Sequence, residues 1–194
     1  MRICLISDSH GNRQAIATIL QREQPDLVLH AGDHAADMQS FDTKHKSGRR
    51  VMSVAGNCDL PGVAELEKIL DIGCFRVFLS HGHRYRVKEN YLNLFYKAEE
   101  IQANVAVFGH THVPTVFVEQ GRLFVNPGSV SLPRGYRTPT YVVIDDLDTV
   151  GLQNTSSAEH ALSIRFLRVS DGTLCDDLSA TVHWDTHKHQ FRWD

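Results

Sequence analysis

The sequence predicts an α/β protein made of two packed β-sheets, mixed or parallel in strand direction, with helices on the outside. Three observations carry that reading. Continuous four-residue apolar runs such as Ile3–Ile6, Val105–Phe108 and Tyr141–Ile144 suit strands buried on both faces. Several of these runs pass directly into a polar, Gly-containing turn, as strands do before a crossover. From Val113 onward, short apolar segments alternate with tight turns, the signature of antiparallel hairpins. One sheet is therefore expected to be mostly parallel and the other more antiparallel.

The elements follow in order. Ile3–Ile6 reads as a strand ending in turn chemistry from Ser7 to Asn12, and Ile16, Ile19 and Leu20 recur at helical spacing up to a stop at Pro25. Leu27–Leu29 and Val51–Ala55 are two further strands, closed by Ala31-Gly32-Asp33 and by Gly56-Asn57-Cys58-Asp59. Cys74–Leu79 leads into Ser80-His81-Gly82-His83. A helix is expected from Lys88 to Gln102, with Tyr91, Leu94, Phe95, Ala98 and Ile101 on one face. Val105–Phe108 leads into Gly109-His110-Thr111-His112. Strands at Val116–Glu119, Leu123–Val125 and Tyr141–Ile144 follow, with a Gln120-Gly121 turn between the first two. Residues 145–160 read as a polar loop, and Leu162–Val169 and Thr181–Trp184 as further strands.

At 194 residues the chain suits one domain over 1–194, with the tail from 145 to 194 packed on it as extra strands. Such a length buries roughly 70% of its unfolded surface and needs no staple to fold. Lys plus Arg is 20 against 23 Asp plus Glu, a net charge of −3, which argues against a general polyanion binder. The apolar runs are too short for a transmembrane helix or a secretory signal. Cys4, Cys58, Cys74 and Cys175 form no C-x-x-C pair, so free thiols in a reducing cytoplasm are expected, with Cys4 and Cys74 in the core. Histidine stands out at 12, about one residue in sixteen, which makes a metal site worth seeking.

Five short motifs stand at strand ends: Asp8-Ser9-His10, Gly32-Asp33, Gly56-Asn57-Cys58-Asp59, His81-Gly82-His83 and Gly109-His110-Thr111-His112. Each alone is commonplace, since a turn or a capped loop uses the same residues. Together they place carboxylates, an amide and imidazoles where a parallel sheet brings its loops to one edge. These are hard or borderline ligands suited to Mn²⁺, Fe, Zn²⁺ or Ni²⁺.

On those motifs, taken in that order and joined by Asn126-Pro127-Gly128-Ser129, the chain resembles the calcineurin-like metallophosphoesterases, specifically their small YfcE-type phosphodiesterase branch. The resemblance runs from Met1 to about Ile144 and is loose beyond it. It implies a four-layer metallophosphoesterase-like fold and a site for two divalent metal ions, Mn²⁺ first among them. Asp8, His10 and His112 would hold one ion, Asn57, His81 and His110 the other, and Asp33 would bridge them. The implied reaction is hydrolysis of a phosphodiester by a water activated between ions about 4 Å apart, with no protein nucleophile. The implied substrate is a small phosphodiester or nucleotide-like molecule, and the branch commonly forms dimers or larger assemblies.

Neighbouring residues divide between structural and functional readings. Asp59 would accept a hydrogen bond from a ligand histidine or simply close a turn. His34 and His83 flank ligand positions. Asn126–Ser129 reads as a tight turn near the site, and Arg134, Arg137, Tyr85 and Arg86 as loop residues within reach of a substrate. Cys58 occupies a position where many members of the wider superfamily carry a histidine thought to assist the leaving group. The rival from another class is a metal-binding scaffold or protein-interaction module of the same fold, like the retromer subunit that resembles this branch. An amide-cleaving zinc hydrolase is disfavoured, because no H-E-x-x-H occurs.

Overall fold

A computed structural model describes residues 1–41, 48–145 and 159–193. Its strands form a seven-stranded sheet and a five-stranded sheet. In chain order the strands are β1 (Arg2–Ile6), β2 (Leu27–His30), β3 (Arg50–Ser53), β4 (Glu67–Ile72), β5 (Phe75–Ser80), β6 (Val105–Val107), β7 (Thr115–Glu119), β8 (Arg122–Asn126), β9 (Thr140–Asp145), β10 (Glu159–Arg168), β11 (Ala180–Asp185) and β12 (Gln190–Trp193). The large sheet runs β12-β11-β10-β9-β1-β2-β3 and the small one β4-β5-β6-β8-β7.

Both sheets are mixed, as the expected mixed or parallel sandwich allows, although neither is mostly parallel. Each contains a parallel trio, β1-β2-β3 in the large sheet and β5-β6-β8 in the small one. Antiparallel strands flank each trio. The tail strands read from sequence extend the large sheet through β10 and β11. Two strands escaped the sequence. Strand β4 is a half-exposed edge carrying Glu67, Lys68 and Asp71, and β12 buries Phe191 alone. The loop expected over 145–160 lies, from 146 to 158, outside the described residues.

Period-two alternation in the strands builds the layers. Ile3, Leu5, Leu27 and Leu29 face Val77, Leu79, Val105, Val107, Leu123 and Val125 across the inter-sheet core. Each such side chain, fully buried, contributes about 1.5–3 kcal/mol. The opposite face of β1 and β2, with Cys4, Ile6 and Val28, takes helix α1 (Arg13–Glu23) through Ile16, Ile19 and Leu20. The outer face of the small sheet, with Phe78, Ala106 and Phe124, takes helix α2 (Leu92–Glu100) through Leu94, Phe95 and Ala98. The result is a four-layer helix–sheet–sheet–helix sandwich.

Helix α1 starts where the Asn12 side chain accepts the Ala15 N–H at 3.1 Å and ends at left-handed Gln24, just before Pro25. Helix α2 is shorter than the expected Lys88–Gln102: residues 86–89 form turns and the Asn90 side chain accepts the Leu92 N–H at 3.0 Å where the helix begins. Ala35–Phe41 is a second 3-10 segment with no periodic signal in the sequence. Cys4 and Cys175 are buried, whereas Cys74 is exposed in the β4–β5 turn, contrary to the core placement expected for it. Among the described residues no helix is long and apolar enough to cross a membrane.

Candidate metal centre

The two parallel trios point their carboxyl ends to the same edge of the sandwich. Six strands therefore deliver six polar loops: Asp8–His10 after β1, Asp33 after β2, Asn57–Asp59 after β3, His81–His83 after β5, His110–His112 after β6 and Asn126–Ser129 after β8. The backbone there is unusual. Asp8, His10, Asp33, His34, His110 and His112 all adopt positive φ, between 44° and 68°. Non-glycine residues rarely do so, and the cost is tolerated where surrounding structure fixes it.

Donor atoms of Asp8, His10, Asp33 and His112 lie within 4.8 Å of one another. His10 Nε2 is 3.3 Å from His112 Nε2 and 3.7 Å from Asp33 Oδ2. On the other side, Asp33 Oδ1 lies 3.3 Å from His81 Nε2, which is itself 3.2 Å from Asn57 Oδ1. His110 stands beside His81, with ring centroids 5.0 Å apart, and its N–H donates to Asp8 Oδ2. Asp33 thus reaches toward both halves, one oxygen to each.

Protonation of the rings sharpens the picture. His112 donates Nδ1–H to the Leu132 carbonyl at 2.6 Å, and His81 donates Nδ1–H to the Ala31 carbonyl at 2.7 Å. Each neutral ring then presents a bare Nε2 lone pair to the cluster. His112 Nε2 faces Asp8 Oδ1 at 3.1 Å, and that buried oxygen has no hydrogen-bond donor. Acceptor meets acceptor, an arrangement resolved either by an extra proton or by a cation. Without a cation the proton is the remedy. The hydrogen bond to Asp8 outweighs burial and raises the affinity of His112 for a proton. Burial opposes charge at His81, but Asp33 and Asp8 overcome it and raise that group as well. Asp33, despite burial, is held well below the usual carboxylate range by His81 and the Cys58 N–H. Burial, then His81 and Lys88, push His110 down to about 4.

Behind the ligands lies a set of buried polar residues that the sequence reading passed over. His30 accepts the Gly32 N–H on Nδ1 and sits 3.3 Å from Ser9 Oγ through Nε2. Ser9 donates to Asp37 Oδ2 at 2.7 Å, and Asp37 also takes the Gly11 N–H. This chain ties the Asp8–His10 loop to β2 and to the following 3-10 segment. Burial lowers His30 from 6.5 to about 4, so folding favours its neutral form. Unfolded chains bind the extra proton between those values, and stability is lost as pH falls through that window. Between pH 7 and 4.5 the expected contribution is a loss of about 2–3 kcal/mol. Urea unfolding of the metal-free protein checks it, with His30→Gln flattening the profile by that amount. An imidazole resonance of His30 titrating near 6.5 would contradict it.

Other supports bind backbone. Asn126 donates to the Gly109 carbonyl and Thr111 Oγ1, and Ser129 donates to the Asp8 carbonyl at 2.7 Å. Both are fully buried, so Asn126 and Ser129 brace loops and do not face a substrate. Asp59 takes no histidine. Its carboxylate accepts the N–H groups of Ala35 and Gly56, closing the turn and tying it to the Asp33 loop. Two glycines are obligatory by space alone. A Cβ on Gly56 would lie 2.1 Å from Asp33 Oδ1, and one on Gly109 would lie 2.0 Å from Ser7 Oγ. His34 and His83 stand next to His10 and His81, with ring centroids 5.3 and 5.4 Å away. Tyr85 is turned to Glu67, to which it donates at 2.8 Å, and Arg86 pairs with Glu89. Neither is free to shape a substrate mouth.

Polar loops of this composition, fed by two sheets to one edge, define a scaffold of the metallophosphoesterase type. Comparison with known proteins agrees: the profile of the calcineurin-like phosphoesterase superfamily domain matches residues 1–149, and the chain belongs to that superfamily. It is 38% identical over 146 residues to the probable metallophosphoesterase YsnB of Bacillus subtilis strain 168, covering 74% of this chain and 83% of that one. To the phosphodiesterase YfcE of Escherichia coli K12 it is 29% identical over 183 residues, covering 80% and 95%. Among solved structures, a Streptococcus pneumoniae TIGR4 protein described as a predicted phosphoesterase superposes with a TM-score of 0.75 at 28% identity, covering 94% and 97%. Wild-type Vps29 of Entamoeba histolytica complexed with zinc gives 0.70 at 21% identity, covering 94% and 99%, a likeness of fold alone.

Proposed function

We propose that the protein is a metal-dependent phosphodiesterase acting on a small phosphodiester or nucleotide-like substrate. In this reading Asp8, His10 and His112 hold one divalent ion, Asn57, His81 and His110 a second, and Asp33 both. The observation that supports it most is the unsatisfied Asp8 Oδ1 facing the lone pair of His112, a buried convergence of acceptors that suits a cation. When bound, such ions would supply the Lewis acidity that polarises a phosphoryl oxygen and acidifies a water. Mn²⁺ is the ion proposed, with Ni²⁺, Fe and Zn²⁺ as competitors for the same donors. Four free cysteines suit a reducing cytoplasm.

The chain's own part is orientation and proton management. The carbonyls of Leu132 and Ala31 fix the tautomers of His112 and His81. The Cys58 N–H donates to Asp33 Oδ1 at 2.9 Å and adds to the larger effect of His81 in holding that carboxylate ionised. Burial and the neighbouring Asp33 raise the Cys58 thiol, so it stays protonated near neutrality. A thiol is a weaker proton donor there than an imidazolium. Diesters with good leaving groups should therefore be favoured over unactivated monoesters. In the variant Cys58→His, hydrolysis of alkyl monoesters relative to an aryl diester is expected to rise about tenfold or more. Unchanged relative rates would remove the leaving-group argument. The reading as a whole is tested with bis(p-nitrophenyl) phosphate, using protein stripped of metal and then reloaded. A folded protein with no metal-dependent turnover would favour the scaffold.

A further inference from the structure

The five-stranded sheet ends at β7, and among the described residues no main-chain group pairs with that strand on the side away from β8. Exposed strand edges are templates for further pairing, and chains usually blunt them with charge or brevity. The other edges of the sandwich are blunted in this way. Strand β4 carries Glu67, Lys68 and Asp71, β12 carries Arg192, and β3 is four residues long and opens on exposed Arg50. By contrast β7 reads Thr115-Val116-Phe117-Val118-Glu119, with a single charge at its last residue. Beside it, between the strand and helix α2, lies an apolar groove of about 370 Å³. Tyr91, Phe95 and Phe117 line the groove, and Leu92 and Tyr96 border it with 53% and 56% of their surfaces exposed. Phe117 is fixed by its neighbours, its ring centroid 4.9 Å from Tyr91 and 4.8 Å from Phe124, on which it stacks. Large apolar side chains half in water beside an unpaired strand mark an association surface. Edge and groove are one feature, since Phe117 belongs to both.

Hairpin geometry decides what the edge accepts. Gln120 and Gly121, at φ 45° and 76°, form a two-residue turn closed by the pair Glu119–Arg122. In such a hairpin the residues flanking the turn exchange both main-chain hydrogen bonds, and the alternation assigns Thr115, Phe117 and Glu119 to β8. The N–H and C=O groups of Val116 and Val118 therefore point out to the open edge. Their side chains face the inter-sheet core, whereas Phe117 faces α2. Pro114, just before the strand, has no N–H to offer. Residues opposed in an antiparallel pair share a face, so a second copy related by a two-fold axis fits only if the axis passes through a residue. With the axis at Phe117, Val116 lies opposite Val118 on both sides of it, and every outward N–H of these two residues meets a carbonyl. Phe117 then meets Phe117 of the partner subunit, and Glu119 meets Thr115, so no like charges are opposed. An axis at Val116 would set Val118 against Pro114. One at Val118 would set Phe117 against Glu119 and draw on the turn residue Gln120.

We propose that β7 pairs with β7 of a second copy of this chain, antiparallel and centred on Phe117, joining the two small sheets into one continuous sheet. The two grooves then face each other across the axis, and Leu92 and Tyr96 of both copies close over the paired phenylalanines. The strand is its own complement in this register, which is what favours a second copy over an unrelated segment. A short strand pairing with one shared groove belongs at the small end of specific interfaces, below about 1,200 Å² in total, so a dimer dissociating in the micromolar range is expected.

Sedimentation velocity of the chelator-treated protein, from about 1 to about 100 µM, should show the monomer passing into a dimer as concentration rises. The variant Leu92→Lys/Tyr96→Lys changes exposed side chains only and should weaken the dimer about a hundredfold, by opposing like charges across the axis. Register is read separately. Thr115→Cys/Glu119→Cys, in a background of Cys58→Ser/Cys74→Ser, is oxidised with diamide. The two introduced thiols face each other across the axis at non-hydrogen-bonded positions, where a Cα separation of about 4.5 Å suits a disulfide. A covalent dimer is expected, and adding the two lysines should suppress it. A chain that stays monomeric over the whole range overturns the proposal, even if its groove takes up a segment of another protein. So does a dimer indifferent to the lysines, or one that gives no cross-link.

Discussion

Asp33→Asn should lower metal-dependent diester hydrolysis by about three orders of magnitude while leaving the protein folded. The size of the effect follows from position. Asp33 Oδ1 meets His81 Nε2 at 3.3 Å and accepts the Cys58 N–H, while Oδ2 turns toward His10 Nε2 at 3.7 Å. Asp8 also approaches both groups, but through a single oxygen, 3.1 Å from His112 Nε2 and 4.0 Å from His81 Nε2, whereas Asp33 turns one oxygen to each. The asparagine side chain is nearly isosteric and tolerates the positive φ of 57° found here, so the loop need not move. What is lost is the negative charge and one acceptor. Two assays separate loss of chemistry from loss of fold. Circular dichroism should be unchanged. Thermal melting of the unmodified protein should rise with added Mn²⁺, by about 2.7 kcal/mol of stability at a hundred times the dissociation constant, and that gain should nearly vanish in the variant. A variant retaining a tenth of the activity would show that Asp33 does not hold the ions.

The variant also lies at the boundary between what could and could not be read from the chain. Asp8, Asp33, His81, His110 and His112 stand in loops after buried parallel strands, and such strands announce themselves as continuous apolar runs, whereas Asn57 follows the partly exposed edge strand β3. The same logic placed β1, β2, β5 and β6, and the segment Leu162–Val169 read as a further strand falls largely within β10. It failed at β4, because an edge strand with one face in water needs no apolar run, and at β12, where one buried phenylalanine leaves too little pattern. The braces behind the site were invisible for a different reason. His30, Ser9 and Asp37 are brought together by hydrogen bonds across 21 and 28 residues, and no spacing rule connects them. Asp59 sat within a motif yet turned out to hold backbone, because a carboxylate at a strand end satisfies orphan N–H groups as readily as it orients a ring.

Chelation should abolish hydrolysis, to below about 1% of the loaded rate, and reloading should be steeply dependent on pH. The reasoning starts from the metal-free state, where His81 and His112 are both shifted toward the protonated form. A raised value in the folded chain means that these protons stabilise the metal-free protein at low pH, and that this contribution fades as pH rises through the raised values. Cations need the same Nε2 lone pairs, so metal uptake must expel whatever protons are there. Affinity for Mn²⁺ should therefore fall about tenfold per pH unit for each proton displaced, with competition already felt above 6.5, the usual histidine value. Calorimetric titration in two buffers of different ionisation enthalpy counts the protons released. Proton release is expected to be largest on the acid side and to shrink as pH rises through the raised values of His81 and His112, with the acid limb of activity following the same curve. His30 moves the opposite way, since its lowered value makes acid destabilising whether or not an ion is bound. A pH-independent Mn²⁺ affinity between 6 and 8 would mean that the acceptors facing one another at Asp8 and His112 are not where the ion binds. Strong, proton-coupled uptake without any turnover would instead leave the metal in place and make the protein a scaffold. Counting protons tests the site, and counting products tests the function.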